Sequence, residues 1–262
     1  MDALIGHTGF VGGNLLRQHV FGACFNTANI EIIAGRDFGT LVFSGAQAKK
    51  WWANQNPAED RAGIQRALNA MRGVTARQVV LISTIDVVPQ VPGADEDFDC
   101  AAQPNHPYGE HRLWLEGELR ARYPGMLTVR LPGLFGPGLR KNIIYDLLHD
   151  NMVDRIDPAS RLQFYDLSGL WADIGRAQAA ALSLVHLVPA PVLTGAIVAR
   201  FFPGATIGAP PPAGSPSYDY RTRHAAVFGG KGGYIQDEAE VFHRLSAFIE
   251  SVRQLSRDGV TA

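Results

Sequence analysis

The sequence predicts an α/β protein, a Rossmann-type doubly wound parallel sheet with a small C-terminal lobe. Three observations carry this. Short, continuously apolar runs such as Val79-Val80-Leu81-Ile82 alternate with segments of helical periodicity, the pattern of strands covered on both faces by helices. The first run, Ala3-Leu4-Ile5, passes directly into Gly6-His7-Thr8-Gly9-Phe10-Val11-Gly12, a glycine turn that opens a helix. A chain of 262 residues that is 46% hydrophobic can bury one large core, or a core with a small lobe attached.

The elements follow in order. After the first strand, residues 13–20 read as a helix and residues 23–27 as the second strand. The run 30–34 lies between Asn29 and Gly35, which resemble helix start and stop signals, so a short helix is expected there. Leu41-Val42-Phe43 is a buried strand ending in Ser44-Gly45-Ala46, and residues 57–71 have helical spacing at Ile64, Ala67, Leu68 and Met71. The Val79–Ile82 strand, a helix over 107–122 and a strand over 127–131 come next. A helix over 174–187, a strand over 192–199, a Pro/Gly-rich loop over 203–216 and a final helix over about 237–255 complete the pattern. The sheet part is expected from 1–132 and about 160–200, the lobe from about 133–160 and 200–236, and the last helix and tail from 237–262.

Composition narrows the function. A net charge of −1 argues against a nucleic-acid or acidic-membrane partner. The apolar stretch 177–198 is cut by Pro189 and Pro191 and contains His186, so it reads as buried structure and not as a membrane span. Cys24 and Cys100 have no metal-type spacing, so no metal site is expected and a reducing compartment is natural. With a strand beginning at residue 3, no leader is expected, and the protein is expected in the cytoplasm, acting on a small molecule.

The candidate chemistry lies at strand ends. Gly6, Gly9 and Gly12 let the backbone approach a diphosphate, and the helix opening at that turn aims its first N–H groups and its dipole at the anion. The strand 79–82 ends in Ser83-Thr84-Ile85-Asp86. Tyr108 stands at a helix start, with Arg112 one turn later on the same face. A phenol needs nearby positive charge to act near neutral pH, and a Ser83 or Thr84 hydroxyl is suited to hold a carbonyl or alcohol beside it. The same spacing also suits a buried tyrosine near a surface arginine.

These segments together resemble the extended short-chain dehydrogenase/reductases, the NAD(P)-dependent epimerase/dehydratase group. The glycine turn with its Phe10, the strand Leu81–Val88, the helix start Pro107-Tyr108-Gly109-Glu110-His111-Arg112 and the segment Val129-Arg130-Leu131-Pro132-Gly133-Leu134-Phe135-Gly136 occur in that family's order, with Trp171-Ala172-Asp173-Ile174 as a looser match. The resemblance implies NAD or NADP as cofactor, held by Gly6, Thr8, Gly9, Phe10, Val11, Gly12, Asn26, Arg36, Ser44, Gly45, Ala46, Arg112 and Pro132. It implies Tyr108 as general acid/base and Thr84 as the hydrogen-bonding partner of the reacting oxygen, with Ser83 beside it. Asp86 is either a further acid/base or a structural carboxylate. Asn142, Arg221 and Arg223 are substrate candidates in the lobe, and each of these segments also reads as a solvated turn or an anchoring network. A homodimer through the helices 57–71 and 107–122 is a further implication.

Several residues depart from that pattern. Arg112 replaces the family's lysine, which binds the nicotinamide ribose and lowers the tyrosine pKa; a guanidinium is larger, planar and permanently charged. The second strand ends in Asn26-Thr27-Ala28-Asn29, without the acid that accepts from the adenosine ribose. Arg36 is either a reader of a 2′-phosphate or a solvated loop residue. The short spacing from Arg36 to the strand at Leu41 implies a sheet lacking one strand and helix on that side. Gly133 stands where nucleotide-sugar enzymes carry an Asn. Lys49-Lys50-Trp51-Trp52 begins a helix on the cofactor side, its tryptophans either lining the site or packing. The expected function is an NAD(P)-dependent oxidoreductase or epimerase/dehydratase acting on a sugar-like or nucleotide-sugar carbonyl or alcohol. The alternative is a non-catalytic NAD(P)-binding protein with a degenerate site.

Overall fold

In the computed structural model, which describes residues 1–257, the chain begins with β1 (Ala3–Ile5), α1 (Phe10–Leu16), β2 (Ala23–Phe25), a 3-10 turn (Ile30–Ile33) and β3 (Asp37–Phe43). There follow α2 (Lys50–Gln55), α3 (Pro57–Ala70), β4 (Thr75–Thr84), a 3-10 turn (Ile85–Val87), α4 (Pro107–Arg122) and β5 (Leu127–Leu131). The rest comprises β6 (Gly133–Phe135), α5 (Ile143–His149), β7 (Arg161–Leu162), β8 (Phe164–Asp166), α6 (Leu170–Ala179), β9 (Leu184–His186), β10 (Val192–Leu193), α7 (Thr194–Phe201) and α8 (Glu238–Arg257). The tail expected beyond residue 257 lies outside the described residues.

The chain forms two compact units. The first, residues 1–90, 96–131 and 170–186, holds a six-stranded sheet in the order β2-β1-β3-β4-β5-β9, every pairing parallel. Ile5 stands opposite both Phe25 and Phe43, so β1, β2 and β3 end level. Chain order reverses between β1 and β3, and in open α/β sheets ligands bind in the crevice at such a reversal. Only β2 lies beyond β1, as the short spacing after Arg36 implied. Leu4, Leu41, Val42, Val80 and Leu81 are fully buried. One cluster packs Ile5, Phe25, Phe43 and Leu81 with Leu68 of α3 and Leu115 and Leu119 of α4. Each such side chain removed from water contributes about 1.5–3 kcal/mol.

The second unit, residues 91–95, 132–169 and 187–262 in the division of the chain, has its own core, where Phe135, Phe164, Ile197, Phe242 and Leu245 meet. Its strands pair as β6 with β8 and β10 with β7.

Several boundaries differ from the sequence reading. α1 begins at Phe10, because Gly12 and Gly13 lie inside the helix and not before it. The second strand stops at Phe25, where Asn26 starts a side-chain-closed turn. The run expected as one helix over 174–187 is α6 followed by β9. Ala181 takes a positive φ of 53°, and Leu182 N–H closes on the Ala177 carbonyl, a helix stop made without a glycine. The expected strand 192–199 is two residues of β10 and then α7, whose first N–H groups, of Thr194 and Gly195, bond to the Ser160 and Pro158 carbonyls. Residues 160–169 and 187–200 therefore belong with the second unit and not with the sheet.

Candidate functional site

The glycine turn is shaped by backbone packing. Gly6 has φ +90°, and a Cβ there would overlap the Ser44 carbonyl; a Cβ on Gly12 would overlap the Gly6 carbonyl. The turn is tied on both sides, Gly6 N–H to Phe25 O (2.8 Å) and Ser44 N–H to Ile5 O (2.9 Å). The Ser44 hydroxyl donates to the Ile5 carbonyl, and His7 Nδ1 lies 3.0 Å from the Phe25 carbonyl. Thr8 and Gly9 are exposed, Phe10 and Val11 half-buried, and Gly9 caps α1 without a side chain in the way. Gly45 leaves no room for a Cβ against Ile5, and Ala46 packs on the core cluster. The first N–H groups of α1 thus open at the sheet's reversal point, a cradle that fits a dinucleotide diphosphate.

On the adenosine side, Asn26 Oδ1 accepts from Ala28 N–H (2.9 Å) and Asn29 Oδ1 from Asn26 N–H (2.7 Å), so this turn carries no carboxylate. The Arg36 guanidinium lies over the rings of Phe25 and Phe38, 5.3 Å from each centroid.

The Tyr108 corner is built from four segments. Thr84 ends β4 and caps the next turn, accepting from Asp86 N–H (3.1 Å). Its hydroxyl lies 3.3 Å from Asp86 Oδ2, and Lys50 Nζ is 2.6 Å from Asp86 Oδ1. His106 caps α4 through Nδ1, which accepts from Gly109 N–H (3.0 Å), and its Nε2 is 4.0 Å from Asp86 Oδ1. Burial and the Lys50 charge hold His106 below the usual histidine pKa. Asn54 of α2 accepts from Tyr108 N–H (3.0 Å), and a Cβ on Gly109 would overlap the Asp86 carbonyl. Tyr108 itself is 7% exposed. Burial pushes its pKa up to about 12; Arg112 and a hydrogen bond with Thr84 oppose this, and Asp86 adds to it. Tyr108 therefore holds its proton at neutral pH.

The terminal donors of Arg112 are taken by other groups. Arg112 is 2% exposed, its two terminal nitrogens bond to both oxygens of Asp60, and one also donates to the Gln47 carbonyl. Its guanidinium lies 4.1 Å from the Tyr108 ring centroid. Nε is buried without a partner. His111 Nδ1 is 2.8 Å from the same Asp60. Arg112 is thus a strut joining α4, α3 and the loop after β3. The Ser83 hydroxyl is also turned elsewhere, donating to Glu116 (2.6 Å), which pairs with Arg130 at 2.7 and 3.0 Å.

In the second unit, Asn142 caps α5, accepting from Ile144 and Tyr145 N–H (3.0 and 3.2 Å) and donating to the Leu134 carbonyl (2.8 Å). Exposed Arg221 pairs with Asp219 (3.1 Å), which also accepts from Tyr234. Arg223 is exposed, and Pro132 is half-buried at the start of β6. A Cβ on Gly133 would stand 2.7 Å from the Gln163 carbonyl, which explains a glycine there and not the family's Asn. Among the described residues no His/Cys/Asp/Glu group is placed to hold a metal ion, and no helix is long and apolar enough to cross a membrane.

Sequence reasoning missed Asp60 and Asn54, which carried no local signal. Lys50 was visible only as part of a basic, aromatic helix start.

Comparison with solved structures finds this fold repeatedly. A NAD-dependent NDP-hexosamine 5,6-dehydratase of tunicamycin biosynthesis is 16% identical over 97% of both chains, with a TM-score of 0.74. A UDP-glucose 4-epimerase from Thermotoga maritima is 14% identical, over 97% of this chain and 99% of the other, with a TM-score of 0.69. A dTDP-4-dehydrorhamnose reductase from Clostridium acetobutylicum is 14% identical, over 97% of this chain and all of the other, with a TM-score of 0.67. No protein-family model and no curated protein matches the sequence. The chain has the fold of the extended short-chain dehydrogenase/reductases.

Proposed function

We propose that this protein is an NAD(P)-dependent oxidoreductase or epimerase/dehydratase acting on a sugar-like or nucleotide-sugar carbonyl or alcohol. One observation carries the reading: a protonated Tyr108, hydrogen-bonded with Thr84 at the end of β4, in the same unit whose glycine turn opens at the sheet's reversal point. The nicotinamide, when bound, supplies or accepts a hydride. The turn from Gly6 to Gly12 holds the diphosphate through backbone N–H groups. Tyr108, neutral in this environment, delivers its proton to the substrate oxygen when a carbonyl is reduced, and its phenolate takes that proton when an alcohol is oxidised, with Thr84 orienting the oxygen. Similarly folded proteins include an NDP-hexosamine dehydratase, a UDP-glucose epimerase and a dTDP-4-dehydrorhamnose reductase; at 14–16% identity they share the fold with this chain, and the proposal stays at the class they have in common.

The Arg112–Asp60 pair favours a second reading. With its terminal donors on Asp60 and Gln47, Arg112 leaves Tyr108 weakly activated, as in a nucleotide-binding protein without turnover. Tyr108→Phe separates the two. Assayed against nucleotide sugars with NADH and NADPH, the variant loses turnover and keeps nucleotide affinity if the protein is an enzyme. A wild type that binds nucleotide, turns over none of these substrates and is unchanged by the substitution supports the binding protein.

A further inference from the structure

The group that the family places beside the tyrosine is a cation reaching the nicotinamide ribose, and the terminal donors of Arg112 are held on Asp60 and the Gln47 carbonyl. The charged groups around Tyr108 are Arg112 and His111 of α4, Asp60 of α3, Lys50 of α2, Asp86 of the turn after β4 and His106 at the head of α4. Arg112 and His111 are both held on Asp60, and the Arg112 side chain is 3% exposed. His106 accepts at Nδ1 from backbone. Lys50 differs from all of these. Its side chain is 37% exposed and Asp86 is 27% exposed. An ammonium has three donors, and Asp86 takes one of them at 2.6 Å.

Lys50 is also placed by its neighbours. It opens α2 just after the C-terminal end of β3, and Asp86 follows the C-terminal end of β4. The Arg112 bond to the Gln47 carbonyl pins the loop that leads to it. From Lys50 a continuous line runs through Asp86 to Thr84 (3.3 Å) and on to Tyr108. The residue that lost the ribose-binding position thus braces the loop that carries its substitute.

We propose that Lys50, not Arg112, is the ligand-facing cation of this site, donating to the vicinal hydroxyls of a nicotinamide riboside while Asp86 holds it beside Thr84 and Tyr108. The proposal rests on the nicotinamide-nucleotide reading above. Lys50 is a binding and positioning residue, and Arg112 is a structural one.

The test is equilibrium titration of the full chain with NADH and NADPH, followed by nicotinamide fluorescence, and with ADP, which lacks the whole nicotinamide riboside, by calorimetry. The proteins are wild type, Lys50→Met and Lys50→Arg, each checked by thermal unfolding. Loss of one charge-assisted hydrogen bond predicts about tenfold weaker reduced-nucleotide binding in Lys50→Met. ADP affinity stays unchanged, and Lys50→Arg restores most of the loss. Unchanged NADH and NADPH affinity in Lys50→Met overturns the proposal while leaving the nucleotide site standing. Equal weakening of ADP also overturns it, because Lys50 then acts on the fold or the adenosine half. A folded wild type that binds neither reduced nucleotide overturns the nucleotide reading itself, and this proposal with it.

Discussion

The glycine turn and the Tyr108 corner occupy ends of strands in one sheet, yet they are made from different materials. The turn is backbone: Gly6 and Gly12 are glycines because neighbouring carbonyls fill the space of a Cβ. The corner is charge: Asp60, Arg112, Asp86 and Lys50, from four separate segments, surround one buried phenol. Backbone sites are specified locally and tolerate almost no side chain. Charged corners are assembled at long range, as the Arg112–Asp60 and Lys50–Asp86 pairs show.

The largest effects should come from breaking each construction at its base. Gly12→Val forces a side chain into the Gly6 carbonyl; we expect loss of several kcal/mol, or no folded protein, in urea unfolding. Asp60→Ala leaves the buried Arg112 charge uncompensated and should cost about 3–5 kcal/mol in the same measurement. If Asp60→Ala costs less than about 1 kcal/mol, the pair is not the strut described here.

A middle-sized effect sharpens the electrostatic side. Burial raises the Tyr108 pKa from 10 to about 12, so the folded state holds this proton more tightly than the unfolded chain. That contribution is intact below pH 10 and is lost as pH rises from 10 toward 12. Wild type should lose stability over this window more steeply than Tyr108→Phe. Parallel pH curves for the two would show that Tyr108 ionises like an exposed phenol. The smallest effect belongs to Ser83→Ala. It removes one hydrogen bond to Glu116 and should cost about 1 kcal/mol of stability, with turnover retained. Lost turnover at unchanged stability would return Ser83 to the chemistry.

What was legible in the sequence follows the same division. Strands β1 to β5, the glycine turn and the span of α4 could be read because apolar runs and glycine spacing are local signals, whereas β9 was hidden inside a run expected as helix. The missing strand beyond β2 could be read from spacing alone. The helix stop at Ala181 could not, because it uses a positive φ on a residue with no turn signature. The α7 run was hidden by its β-branched Thr194, Ile197 and Val198, since its first N–H groups are satisfied by distant carbonyls of Pro158 and Ser160. In the candidate site, spacing pointed to Tyr108 with either Ser83 or Thr84, and only the family resemblance singled out Thr84. That Ser83 turns to Glu116 and Arg112 to Asp60 depends on partners 33 and 52 residues away, and no local pattern announces such a pairing.

The central claim is that the glycine turn binds the diphosphate of a nicotinamide nucleotide. Gly9 is exposed, and a Cβ there would meet the Gly6 carbonyl at 3.3 Å, so Gly9→Asp adds a negative charge at the turn once that carbonyl gives by a few tenths of an ångström. The decisive measurement is fluorescence titration of wild type and Gly9→Asp with NADH and NADPH, with melting temperatures recorded for both. The account predicts micromolar binding of at least one nucleotide to wild type, and at least a tenfold loss in Gly9→Asp at an unchanged melting temperature. Absence of binding to folded wild type, or binding indifferent to the aspartate, would contradict it.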